Sequence, residues 1–150
     1  MLHHRPARTA VLLALPALSI TAAAWSCPLQ VRAAWIREPP PGVTTLAGYA
    51  LLTNTGSSPL TLQELRSSLF ARIQMHESML HQGMAMMMPL ASVSVAPGAT
   101  VRFEPDGKHF MLIEPKRVLH AGEQVPIELI DGNGCATTAT FVVSKSAPSD

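Results

Sequence analysis

Downstream of residue 28 the chain alternates between short apolar, β-favouring runs and clusters of turn-forming residues. Strands are predicted over Gln30–Ile36, Gly48–Thr53, Leu60–Leu65, Phe70–Met75, Ser92–Val95, Thr100–Phe103, His109–Ile113, Gln124–Ile130 and Thr137–Val143. Pro39-Pro40-Pro41-Gly42, Asn54-Thr55-Gly56, Pro97-Gly98, Asp106-Gly107 and Asp131–Gly134 punctuate them with residues that favour turns. No long amphipathic helix is written into the pattern; Leu62–Phe70 (LQELRSSLF) has room for one helical turn at most. Many short strands at near-regular spacing imply an all-β fold, an antiparallel β-sandwich or barrel built as a single domain over 25–143. No repeat or interdomain linker interrupts it, and residues 144–150 are expected to be a disordered tail.

The first residues have a different character. Arg5 and Arg8 precede an apolar stretch, Ala10–Ile20, and Ala22-Ala23-Ala24 then fits a signal-peptidase site. The stretch is too short to span a bilayer, so 1–24 is expected to be a cleaved signal peptide that sends the chain to the periplasm, with no membrane span in what remains. Cys27 could instead be the lipidated residue of a lipoprotein signal, but the bulky Trp25 stands where small residues are preferred. Export makes a disulfide the expected fate of Cys27 and Cys135, closing a loop of about a hundred residues. A formal charge of +1 over 150 residues excludes a nucleic-acid binder that works by bulk electrostatics.

Chemistry concentrates between Met75 and Met111, where seven of the eight methionines fall. Methionine is a good core filler, which suits Met75. It suits Met84-Ala85-Met86-Met87-Met88 badly, because an extended segment turns its side chains to both faces and leaves some in water. Exposed thioethers beside histidines point to a soft ion. Thioether sulfur selects Cu(I), imidazole accepts copper generally, and zinc would favour thiolate or carboxylate. His109 and Met111, two apart on a predicted strand, share one face and leave Phe110 and Leu112 for the core. His76 is expected to end its strand and lead into a Met-rich loop that completes the site. A buried, hydrogen-bonded His109 with Met111 in the core is the competing reading of the same residues.

His76, ten residues, Met87, twenty-one residues, His109, one residue and Met111 reproduce the spacing H-x10-M-x21-H-x-M. In this the chain resembles the periplasmic PCu(A)C-type copper chaperones that supply cytochrome c oxidase. The likeness extends to Val31–Pro41, Tyr49–Asn54, Gly83–Pro89, His109–Leu112 and Gly122–Leu129, nearly the whole expected mature chain. It implies a cupredoxin-like β-sandwich, with His76, Met87, His109 and Met111 holding Cu(I). It also implies delivery to the dinuclear copper centre of oxidase subunit II or to another copper-accepting assembly factor. A monomer is expected. Met79, His81, Met84, Met86 and Met88 are possible secondary ligands, and Met86 or Met88 could stand in for Met87, although the spacing favours Met87. Lys108 would discourage a cation if it pointed at the site.

Other functions fit less well. An electron-carrying cupredoxin needs a Cys–His–Met set near the C-terminus, and neither His nor Met follows Cys135. No catalytic motif is present, and Glu77 beside His76 is expected to support a ligand histidine rather than work as an acid or base. A copper scavenger, and a metal-free module using its methionines for docking, are the remaining rivals.

Overall fold

The computed structural model describes residues 26–148, and the predicted leader lies outside the described residues. Ten strands follow one another: β1 (Leu29–Arg37), β2 (Thr45–Asn54), β3 (Leu60–Arg66), β4 (Phe70–His81), β5 (Met84–Leu90), β6 (Val93–Val95), β7 (Thr100–Phe103), β8 (Lys108–Pro115), β9 (Gln124–Asp131) and β10 (Ala136–Ser144). The fold is an all-β, cupredoxin-like sandwich. Strands β4-β8-β2-β1-β10-β9-β3 form a circuit, closed where Leu65 of β3 pairs with Ile73 of β4. All of these pairs are antiparallel except β1–β10, which runs parallel through Trp35–Val142 to Arg37–Ser144.

Alternation explains which side chains go inside. Val125, Ile127 and Leu129 of β9, Phe141 and Val143 of β10, and Phe110 and Leu112 of β8 each recur every second residue and are buried. Phe110 stacks on Phe103 with ring centroids 4.1 Å apart and takes the edge of Phe141 at 5.9 Å. Phe110→Ala is expected to cost about 3–5 kcal/mol. Gly48 of β2 passes closely over this cluster, where an added Cβ would lie 3.0 Å from Leu112.

Two expectations need correction here. The strand expected over Leu60–Leu65 is present as Leu60–Arg66, but the helical turn for which Leu62–Phe70 had room does not form, and Leu62 and Leu65 are both buried despite a spacing of three. A bulge between Leu62 and Glu64 against β9 absorbs the extra residue and turns both leucines inward. The second concerns Met84–Leu90, which is not a loop but strand β5; β4 correspondingly runs six residues past Met75, to His81.

A disulfide joins Cys27 to Cys135, with Cα atoms 5.7 Å apart and a sequence separation of 108. Asp131 shapes the turn that presents Cys135, its Oδ1 accepting from the backbone N–H groups of Asn133 and Cys135 at 2.8 and 2.9 Å. Closing so long a loop is worth about 4–5 kcal/mol in the chain-entropy description. A Cys27→Ser/Cys135→Ser variant should therefore unfold at markedly lower urea concentration. An unchanged midpoint would show that the bridge constrains little.

Candidate metal centre

Strand β8 sets the orientation of the site. With Phe110 and Leu112 in the core, alternation obliges His109 and Met111 to face the opposite way, onto the outer surface of the sheet. The β4–β8 ladder runs unbroken from Arg72–Ile113 to Glu77–Lys108 and places His76 directly opposite His109 and Gln74 opposite Met111. His76 is thus in the middle of a strand rather than at its end. The imidazole centroids are 5.9 Å apart, with the rings inclined by 44°. Two imidazoles bonded to one ion at about 2 Å have centroids roughly 5–6.5 Å apart.

Met87 reaches the same face through a hairpin. Gln82 and Gly83 both have positive φ, 51° and 78°, as a two-residue hairpin turn of the I′ kind requires. That turn fixes the β4–β5 register from His81–Met84 to Met75–Leu90, which pairs Ser78 with Met87 and His76 with Pro89. Met87 therefore lies one row beyond the histidine pair, diagonal to His76. Met111 lies one row to the other side. Long side chains span such diagonals. Met86 and Met88, opposite Met79 and Glu77, point to the reverse face. Of these three methionines, Met87 alone shares the face of His76 and His109. The four motif residues share one surface, graded from buried His109 through half-buried His76 and Met111 to Met87, 63% exposed.

Hydrogen bonding prepares both imidazoles. His109 Nδ1 lies 3.1 Å from the carbonyl oxygen of Gly107. A carbonyl can only accept, so Nδ1 holds the proton and Nε2 keeps a free lone pair. The same Gly107 oxygen accepts the backbone N–H of Ser78 at 3.0 Å, tying the two strands together beside the site. His76 Nε2 faces Gln74 Oε1 at 3.4 Å, while its Nδ1 is buried without a partner. A buried nitrogen lone pair with nothing to accept is costly, and a metal ion would satisfy it. Burial holds the His76 imidazole below its ordinary pKa of 6.5, and the neighbouring His109 ring pushes the same way.

Lys108 and Glu77 settle differently from the sequence expectation. They form an ion pair at 2.7 Å and, by alternation, stand on the face opposite the histidines. Lys108 therefore does not point at the site, and Glu77 does not support His76. Support comes instead from the Gly107 carbonyl. Only its i, i+2 spacing to His109 hinted at this, because a backbone acceptor leaves no trace in residue type. Among the described residues no three His, Cys, Asp or Glu side chains gather where they could hold an ion. The side chains beside the histidine pair on this surface that suit a soft metal are the thioethers of Met87 and Met111. Surface grooves along Glu64–Ile73 and beneath Pro39–Val43 contain none of the four motif residues.

The depressed pKa of His76 has a consequence for the metal-free protein. The unfolded chain takes up this proton near pH 6.5, before the folded chain does, so the stability that neutral His76 confers is lost as pH falls through and below 6.5. Wild type should lose more thermal stability between pH 8 and pH 5 than His76→Gln, measured by circular dichroism without metal. Equal losses would remove His76 as the cause.

Residues 29–143 match the LpqE-like lipoprotein family. A protein of Leifsonia xyli subsp. xyli named as a lipoprotein, Lxx21020, is 29% identical over 130 residues, which cover 86% of this chain and 77% of that one. Among solved structures, the copper-bound PCuAC domain from PmoF2 superposes with a TM-score of 0.67 at 20% identity, covering 79% of this chain and 94% of that domain. Apo-DR1885 from Deinococcus radiodurans gives 0.57 at 29% identity over 97% of both chains, and its Cu(I) form gives 0.58 at 25% identity over 85% and 84%. The resemblance seen in the sequence thus holds at the level of fold. With its match spanning β1 to β10, the chain belongs to the LpqE-like lipoprotein family and is built on the PCuAC fold.

Proposed function

We propose that this protein is a carrier that binds one Cu(I) as cargo through His76, Met87, His109 and Met111 and passes it to an acceptor outside the cytosol. The observation that carries this reading is the facing histidine pair, one ring fixed with its lone pair free and the other with a buried, unpartnered Nδ1. Two neutral imidazoles and two thioethers suit Cu(I) and avoid gathering like charges. The names of the copper-bound PmoF2 domain and of Cu(I)-DR1885 support the same guest.

The gradation of exposure suits delivery better than storage. Met87, on the outermost strand, is open to an incoming acceptor and would be displaced first; His109, anchored on Gly107, would let go last. Thioether ligands do not titrate in the ordinary range, so protons reach the site only through its histidines. The acceptor we assign is the dinuclear copper centre of oxidase subunit II or an assembly factor that serves it. The lipoprotein names of the family and its relative support a secreted, envelope-associated protein, in our reading periplasmic. Because the Cys27 sulfur is bonded to Cys135, it is not free to carry a thioether-linked lipid.

Anaerobic Cu(I) titration against a coloured competing chelator tests the site. One tight equivalent is expected, and its affinity should fall by at least about tenfold in Met87→Leu and further in His109→Ala or Met111→Ala. Met86→Leu and Met88→Leu should leave that equivalent intact; equal losses in all five would mean that the face is misassigned. Delivery is tested by mixing the Cu(I) form with a soluble oxidase subunit II domain. Transfer without release to the chelator supports a carrier, and retention supports a scavenger.

A further inference from the structure

The β4–β5 hairpin outruns the rest of the sheet. Strand β8 ends its ladder with β4 at Glu77–Lys108, so the Met79–Met86 and His81–Met84 pairs belong to a two-stranded tip. The outer face of this tip continues the cargo surface. Its reverse face carries Met79 opposite Met86 and, one row further on, His81 opposite Met84. These four residues occupy adjacent positions of a two-by-two patch, close enough in direct pairs and diagonals for their long side chains to converge. All four are exposed, with Met79, Met84 and Met86 at 49, 63 and 46%.

An apolar core does not explain this patch, because the core on that side of the sheet ends at Met75, Phe110 and the Glu77–Lys108 ion pair. Nor does strand formation, since β-branched and aromatic residues would make a better exposed hairpin than three thioethers. Thioether and imidazole are what the positions have in common. The ion pair below the patch is internally neutralised, so it presents no uncompensated cation to an incoming ion.

We propose that Met79, His81, Met84 and Met86 form a second soft-metal site for Cu(I), on the opposite face of the hairpin from His76 and His109. The two sites are back to back across one pair of strands and share no ligand. The second is the weaker, since its ligands stand in water on a two-stranded tip and no buried lone pair awaits the ion. Its existence does not depend on the first site.

The test is a Cu(I) titration of the intact, disulfide-bonded protein, with Ag(I) as a diamagnetic substitute for NMR of methyl-labelled methionine. Wild type should bind two equivalents, the second at least tenfold more weakly, and the methyl signals of Met79, Met84 and Met86 should move with the second. Met79→Leu/Met84→Leu/Met86→Leu should bind only the tight equivalent. His109→Ala/Met111→Ala should keep only the weak one. A wild type that binds only the tight equivalent, methyl signals that stay still, or a second equivalent that survives the triple leucine variant would each overturn the second site. Loss of the tight equivalent alone would count against the first site and leave the second standing. If the triple variant binds both ions but no longer docks on a subunit II domain, the patch is a protein contact and the proposal fails. The methyl shifts are read on wild type, so a folding defect in a variant cannot decide the outcome.

Discussion

A strand has two faces and a period of two, and in β8 both faces are committed. Phe110 sits between Phe103 and Phe141, and neither it nor Leu112 can leave the interior without emptying the centre of the sandwich. His109 and Met111 are held outward by the same constraint that holds the phenylalanine inward. Every other part of the site is then a matter of register: β4 brings His76 to His109, and β5 brings Met87 to the row beyond. Core packing and the outward presentation of the candidate site are thus one geometric decision, made on the four residues from His109 to Leu112.

The sequence made much of this legible. Nine of the ten strands were visible from alternation and turn residues, and the outward pair on β8 followed from parity alone. The methionine-rich stretch was harder. Hydrophobic alternation reports burial on one face, and β5 is exposed on both, so its period carries no signal. The usable clue was Gln82-Gly83, a pair suited to a two-residue turn, from which the registers His81–Met84 and Ser78–Met87 follow by counting. Leu62 and Leu65 were legible as strand residues, but not the bulge between them that lets a spacing of three bury both.

Charged neighbours illustrate a further limit. Glu77 and Lys108 each adjoin a histidine of the candidate site in sequence and stand on the other face of the sheet from it, because adjacency along a strand means opposition across it. The group that does orient His109 is a carbonyl oxygen of a glycine, chemically identical to every other carbonyl in the chain. What selects it is the turn Glu104–Gly107, with Asp106 at a positive φ of 64°, which aims that oxygen at two donors at once. Backbone direction of this kind is fixed by the fold, and side-chain identity records it only faintly.

The parallel pairing of β1 with β10 brings the two ends of the domain together, and the Cys27–Cys135 bridge fastens them. The strands that carry the proposed cargo surface, residues 70–115, all lie between those ends in sequence. A circuit in which the first and last strands are neighbours cannot be completed progressively from the N-terminus; it waits for Phe141 and Val143 to arrive. A chain emerging N-terminus first would thus have its methionine-rich hairpin in the new compartment before its own core exists to support it. The order in which the segments become available runs opposite to the order in which they depend on one another.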